Sequence, residues 1–230
     1  MKVVIVSDLH GNYDAWSHLP EENYDELWVL GDLVNYGPEP EKIVEEMMTK
    51  AHVIVRGNHD QAVAYEDDST WSPRYRELAT ASRRHTSSVL SAQQKNFLRD
   101  LPLQATREQR GTVFHMVHAT PSNPMYGRLA PDADAWLDEI ESTPGDVLLV
   151  GHSHIPFVRT IGNKVLLNPG SLGQPRSGGS DACYATWEGG KFSLKSYPYP
   201  VDTTIRKIEA LALAPPIVER LTTILRTGYV

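Results

Sequence analysis

An α/β fold is what this sequence predicts, and three observations predict it. Short runs of β-branched and aliphatic residues alternate with helical patterns through the first half of the chain. Each run is closed by Gly, Asn or Asp, the residues that turn a backbone. Strand–helix–strand succession of this kind builds parallel βαβ units with right-handed crossovers. At 230 residues, 40% of them hydrophobic and 22% charged, the chain suits one domain over 1–230 with a single sizeable core.

Taken in order, Val3–Val6 reads as the first strand and "NYDAWSHLPE" as a weak helix. Leu27–Leu30 is the second strand. "PEPEKIVEEMMTK" follows as a helix, with Pro near its start and Lys50 near its end, before a third strand at Val53–Val55. The region from about 61 to 110 changes character: it lacks a strand pattern, and "SPRYRELATASRRHTSS" and "SAQQKNFLRDLP" read as two helices of an insertion. Ser91 and Gln94 have capping-box spacing there. Strands resume at Val113–Val117, Val147–Val150, Val165–Leu167, Cys183–Trp187 and Phe192–Tyr197, with a hairpin turn at Glu188-Gly189-Gly190. A helical tail begins near Thr203, and Pro215 and Pro216 are expected to interrupt it.

Bulk properties narrow the function classes. A net charge of −7 supplies no electrostatic groove for a nucleic-acid polymer. One cysteine, Cys183, allows no intramolecular disulfide and fits a reducing compartment. "MKVVIVSDLHG" has too short an apolar core for a signal peptide, and no stretch reaches the length of a membrane span. The expectation is a cytoplasmic protein without a membrane partner.

Chemistry gathers where the apolar runs stop. Val3–Val6 is followed by Asp8 and His10, Leu27–Leu30 by Asp32, and Val53–Val55 by Asn58 and His59. Val113–Val117 ends at His118, and Val147–Val150 at His152 and His154. In α/β folds the carboxyl ends of parallel strands share one rim, where ligands bind. Asp8 with His10, and His152 with His154, are spaced so that locally extended backbone would send both side chains to one side. A lone "GD" or "GN" is usually a turn, and His18, His52, His85 and His115 read as ordinary packed or surface histidines. Five of nine histidines at strand ends, joined by two Asp and one Asn, point instead to bound metal.

The blocks "DLH", "GD", "GNHD", "VHATP" and "GHSH" occur in that order, so the sequence resembles the calcineurin-like metallophosphoesterase superfamily. "NPGSLGQPR" at 168–176 is similar to its small bacterial phosphodiesterase-like branch. The resemblance implies a four-layer α/β/β/α sandwich with a dinuclear metal centre. One ion would take Asp8, His10, His154 and Asp32, and the second Asp32, Asn58, His118 and His152. His59 would face the substrate. "GDLVNYG" has Tyr36 where phosphoprotein phosphatases of the superfamily carry Arg, which argues against that role.

The function expected is a bimetallic phosphoesterase, a phosphodiesterase acting on small or nucleotide-like phosphate esters. A hydroxide held between two cations would attack phosphorus. Asp32 would bridge the ions, and His59 would donate a proton to the leaving oxygen or stabilise its charge. Mixed oxygen and nitrogen ligation suits Mn, Fe, Zn, Ni or Co. Substrate contacts are expected from Asn12, His59, Arg84 and Arg176, with Arg83, Tyr75 and Trp71 as further candidates and the 61–110 helices as a lid. Alternatives are a nucleotide pyrophosphatase or dinucleoside polyphosphate hydrolase, and a non-catalytic metal-binding scaffold. Asp60 could orient His59 or cap a turn.

Overall fold

The computed structural model describes residues 1–229 and arranges ten strands and eight helices among them in four layers. One sheet has the order β10-β9-β1-β2-β3, built from β1 (Lys2–Val6), β2 (Glu26–Val29), β3 (Val53–Ile54), β9 (Ala182–Glu188) and β10 (Lys191–Tyr197). The other has the order β4-β5-β6-β8-β7, from β4 (Gln104–Gln109), β5 (Thr112–Val117), β6 (Val147–Leu149), β7 (Phe157–Ile161) and β8 (Lys164–Asn168). β1, β2 and β3 run parallel, as do β5, β6 and β8, and the antiparallel strands lie toward the edges.

Side-chain alternation explains the layering. Val3 and Ile5 point one way with Trp28 and Leu30, meeting Phe114, Met116, Leu149 and Leu167 of the second sheet. Trp28 and Trp187 pack edge-on against Phe114 at 4.8 and 5.1 Å, and this inter-sheet seam is the centre of the molecule. Val4, Val6, Leu27 and Val29 point the other way, onto Ala15 of α1 (Tyr13–Ser17), Ile43, Val44 and Met47 of α2 (Pro40–Lys50) and Leu98 of α5 (Ala92–Asp100). Leu148, Val150 and Leu166 pack outward on Trp136 and Ile140 of α6 (Trp136–Glu141). Because Val3–Val6 of β1 face apolar layers on both sides, that stretch is a continuous apolar run.

A further helical cluster stands beside the sandwich. α3 (Asn58–Tyr65) and α4 (Arg76–Val89) meet α7 (Val201–Glu209) and α8 (Pro215–Thr227) through Ala62, Leu78, Ala79, Ile205, Ile208 and Leu221. The 61–110 region is therefore built into the fold, with α5 under the first sheet.

Two strands correct the expectations. The 61–110 region does hold a strand: β4 is so polar (QATREQ) that only its six-residue pairing with β5 defines it. β7 (FVRTI), absent from the expected strands, closes the other edge against β8. The helical tail does break at Pro215 and Pro216, which begin α8 after α7, where a missing N–H costs nothing. The capping box is present, with Ser91 Oγ accepting from Gln94 N and Gln94 Oε1 from Ser91 N.

Candidate metal centre

The carboxyl ends of β1, β2, β3, β5 and β6 converge on one buried rim. Just past them, Asp8, His10, Asp32, His152 and His154 all have positive φ, between 46° and 62°. Side chains two apart therefore converge through left-handed turns, not through the extended backbone expected from the sequence. Such turns cost L-residues energy and are held by their surroundings. Backbone bonds from Asp8 N to Gly31 O, His10 N to Asp32 O and Gly151 N to His118 O lock the loops together at 2.8–3.0 Å. Glycine is needed where they touch: a Cβ on Gly57 would lie 2.0 Å from Asp32 Oδ1, and one on Gly151 2.0 Å from Ser7 Oγ.

All seven expected ligand residues meet in two groups that share Asp32. In the first, Nε2 of His10 lies 3.1 Å from Nε2 of His154, which is 3.2 Å from Asp8 Oδ1. His10 Nε2 is 3.8 Å from Asp32 Oδ2. In the second, His118 Nε2 is 3.3 Å from Asp32 Oδ2, and 3.2 Å from both Asn58 Oδ1 and His152 Nδ1. His10, His118 and His154 each donate Nδ1–H to a carbonyl, of Val34, Leu30 and Gln174, at 2.6–2.9 Å.

Those bonds decide the fit. With each Nδ1 proton given to a carbonyl, a neutral ring turns its Nε2 lone pair inward. Two such lone pairs face each other between His10 and His154, beside Asp8 Oδ1, a buried oxygen without a hydrogen-bond donor among the described residues. A cation satisfies that arrangement, and mixed imidazole, carboxylate and amide donors suit a first-row transition metal.

Electrostatics differ between the groups. Burial, with His154 adding, lowers His10 to about 4. Burial also takes His59, His152 and His154 well below the usual histidine range and raises Asp8. Burial acts to lower His118 too, but the Asp32 carboxylate outweighs it and lifts His118 to about 9. Burial would raise Asp32, yet His118 and the neighbouring imidazoles hold it well below the carboxylate range.

His59 stands at the mouth of the centre. Asn35 Nδ2 donates to its Nδ1 at 2.8 Å, which leaves the ring proton on Nε2. Its ring packs against Trp71 at 4.7 Å and Tyr36 at 4.6 Å. Asp60 does not orient this ring: its carboxylate accepts from the backbone N–H groups of Asp32, Leu33 and Gly57, fixing the Asp32 loop.

The expected substrate contacts divide. Asn12 is fully buried and caps α1, accepting from Ala15 N and donating to Gly173 O and Tyr199 Oη, so it faces the interior. Arg84 is exposed on α4 and lines none of the cavities. Arg83 pairs with Asp68 at 2.7 Å. Arg176, Tyr75 and Trp71 do line the cavity over the metal ligands, together with Thr70, Ser72, Tyr126 and Arg128. A second cavity, of about 250 Å³, adjoins it at Arg128, His152 and Arg176. Asn35, Tyr126 and Arg128 escaped the sequence reading; Asn35 alone lay inside a quoted block, "GDLVNYG".

Comparison with known proteins agrees with this geometry. The profile of the calcineurin-like phosphoesterase superfamily domain matches residues 1–189. Uncharacterized protein MJ0912 of Methanocaldococcus jannaschii is 30% identical over 241 aligned positions, covering 95% of this chain and 96% of its own. Phosphodiesterase YfcE of Escherichia coli K12 is 26% identical, with 80% and 85% covered. The crystal structure of a metallophosphoesterase from Sphaerobacter thermophilus superposes with a TM-score of 0.82 at 25% identity, covering 96% of this chain and 98% of that one.

Proposed function

The chain belongs to the calcineurin-like phosphoesterase superfamily, and is a metal-dependent phosphoesterase; on that premise we propose that it is a phosphodiesterase for small or nucleotide-like esters, with two divalent transition-metal ions bridged by Asp32. The observation that carries this reading is the pair of ligand groups sharing one carboxylate beneath two adjoining cavities. A monoester needs room for one organic arm, whereas a diester needs room for two.

Asp8, His10 and His154 would hold one ion and Asn58, His118 and His152 the other. Bound divalent ions supply Lewis-acid charge and an activated water at neutral pH. His59, neutral through burial and protonated on Nε2 by its bond to Asn35, stabilises the charge that develops on the leaving oxygen. Trp71 and Tyr36 keep its ring in place. The arm that leaves then lies toward Trp71 and Tyr75, and the arm that stays occupies the cavity beyond His152. A scaffold role has no support in a site where every expected ligand converges.

The test is turnover of bis-p-nitrophenyl phosphate against p-nitrophenyl phosphate after reconstitution with Mn, Zn, Ni, Co or Fe(II). The diester should be preferred in kcat/KM. Preference for the monoester contradicts the diester reading, and no turnover with any metal contradicts the enzyme itself.

A further inference from the structure

We propose that Arg128 and Arg176 form a second anion subsite, so that the substrate carries a further phosphate on the arm that is not released; this rests on the phosphodiesterase reading and narrows its substrate class.

Both guanidinium groups line the cavity over the metal ligands and also the cavity beside it, so they stand at the junction. Asp32, a ligand already committed to the centre, is the single carboxylate lining either cavity. In a chain of net charge −7, two arginines facing a carboxylate-free cavity are not background. Neither charge is spent within the protein. Arg128 is exposed and makes no hydrogen bond or ion pair among the described residues, and it sits in a loop that is firmly held. Gly127 N donates to Asn123 O at 3.0 Å, Ala119 N donates to Pro124 O at 2.7 Å, and a Cβ on Gly127 would strike Thr120 Oγ1 at 2.2 Å. Arg176 donates to the neutral amide of Gln174 at 2.9 Å and lies over the Tyr75 ring at 5.6 Å, while its Nε is buried without an acceptor.

Charge balance identifies what is missing. Two divalent ions bring four positive charges, Asp8 and Asp32 return two, and an activated water and a diester monoanion return one each. The centre is neutral without either arginine. Two further fixed cations then match a dianion, which is a phosphate monoester or the continued chain of a polyphosphate. Guanidinium forks bind phosphate bidentately, whereas a carboxylate would leave one of the two charges unmatched. The adjoining cavity, of about 250 Å³, has room for a nucleoside-sized arm and carries Thr120, Ser153 and Asn168 on its wall.

The experiment compares probes that differ only in the further phosphate, on the metal-loaded enzyme. One pair is thymidine 5′-(p-nitrophenyl phosphate) with and without a 3′-phosphate; the other is diadenosine triphosphate against diadenosine diphosphate, both cleaved at an anhydride. The first pair presents a separate monoester and the second a continuous polyphosphate. Charge-assisted Arg–phosphate bonds should raise kcat/KM about tenfold to a hundredfold for at least one pair, mainly through KM. Arg128→Gln and Arg176→Gln should each shrink that ratio, and the double variant should bring it near one. Calorimetry supplies a readout without turnover: thymidine 3′,5′-bisphosphate should bind at least about tenfold tighter than thymidine 5′-phosphate, and the double variant should lose that margin. Equal kcat/KM within both pairs, or a ratio that survives the double variant, overturns the subsite, while turnover of bis-p-nitrophenyl phosphate by the unsubstituted enzyme leaves the phosphodiesterase reading standing. Loss of that turnover under every metal overturns the reading beneath it.

Discussion

The rim of strand ends and the wall around it are built differently, though they face the same cavity. The rim side chains follow a strand or open α3, are tied by backbone bonds, and are buried at the seam of the two sheets, with His152 alone half-buried. The wall comes from irregular stretches: Thr70, Trp71, Ser72 and Tyr75 before α4, Tyr126 and Arg128 after β5, and Arg176 after β8. Rim residues cannot shift without moving the sheets, so changes there should be all-or-none. Wall residues add contact to a centre already in place, so changes there should be graded. On the proposed function, the chemistry belongs to the strands and the selectivity to the loops.

The largest effect should come from Asp32. Asp32→Asn should lose both ions together, seen as metal per chain by mass spectrometry after gel filtration, with turnover falling to background. Loss of one ion alone would break the contrast by showing that the two groups are independent. His59→Gln comes next, because it sits where rim and wall meet. It should keep metal and lose about 10²–10⁴ in kcat, most on alkyl esters with poor leaving groups. Parental rates on an alkyl ester would remove His59 from the reaction.

Proton linkage separates the two ligand groups. His118 is raised to about 9 in the metal-free protein, above its ordinary value near 6.5. The stability its pairing with Asp32 contributes is fully present below about pH 6.5 and is lost as pH rises through about 9. Metal must expel that proton, whereas His10, His152 and His154 are already neutral at pH 7. Loading at pH 7 should release at least about one proton, from His118 and then from the activated water, measurable by calorimetry in buffers of different ionisation enthalpy, and affinity should climb at least about tenfold per unit over pH 7–8. No release would mean that His118 carries no proton before metal binds.

Smaller effects mark the wall and the interior. Trp71→Ala should cost about tenfold in kcat/KM while metal content holds, since the ring seats His59 and lines the cavity. Asn12→Ala should leave KM within about twofold and lower unfolding free energy by about 2–4 kcal/mol, because it removes a helix cap and strands buried partners. A raised KM in a normally stable Asn12→Ala protein would return Asn12 to the substrate.

Legibility follows the same division. Asp8, His10, Asp32, Asn58, His118, His152 and His154 could be read because each closes an apolar run or opens the next helix, in an order with one chemical meaning. The left-handed backbone of Asp8, His10, Asp32, His152 and His154 could not be read, since Asp and His signal positive φ far more weakly than glycine does. Arg128 stayed hidden because its position depends on how the loop after β5 packs, and Asn12 looked free because Gly173 and Tyr199, to which it donates, lie more than 160 positions away. β4 was hidden because an edge strand with polar faces has no apolar alternation to show.

Anomalous scattering from crystals reconstituted with manganese tests the central claim most directly. Two peaks per chain are expected, one against Asp8, His10 and His154 and one against Asn58, His118 and His152, with Asp32 between them. A single peak, or density that avoids Asp32, would contradict the account.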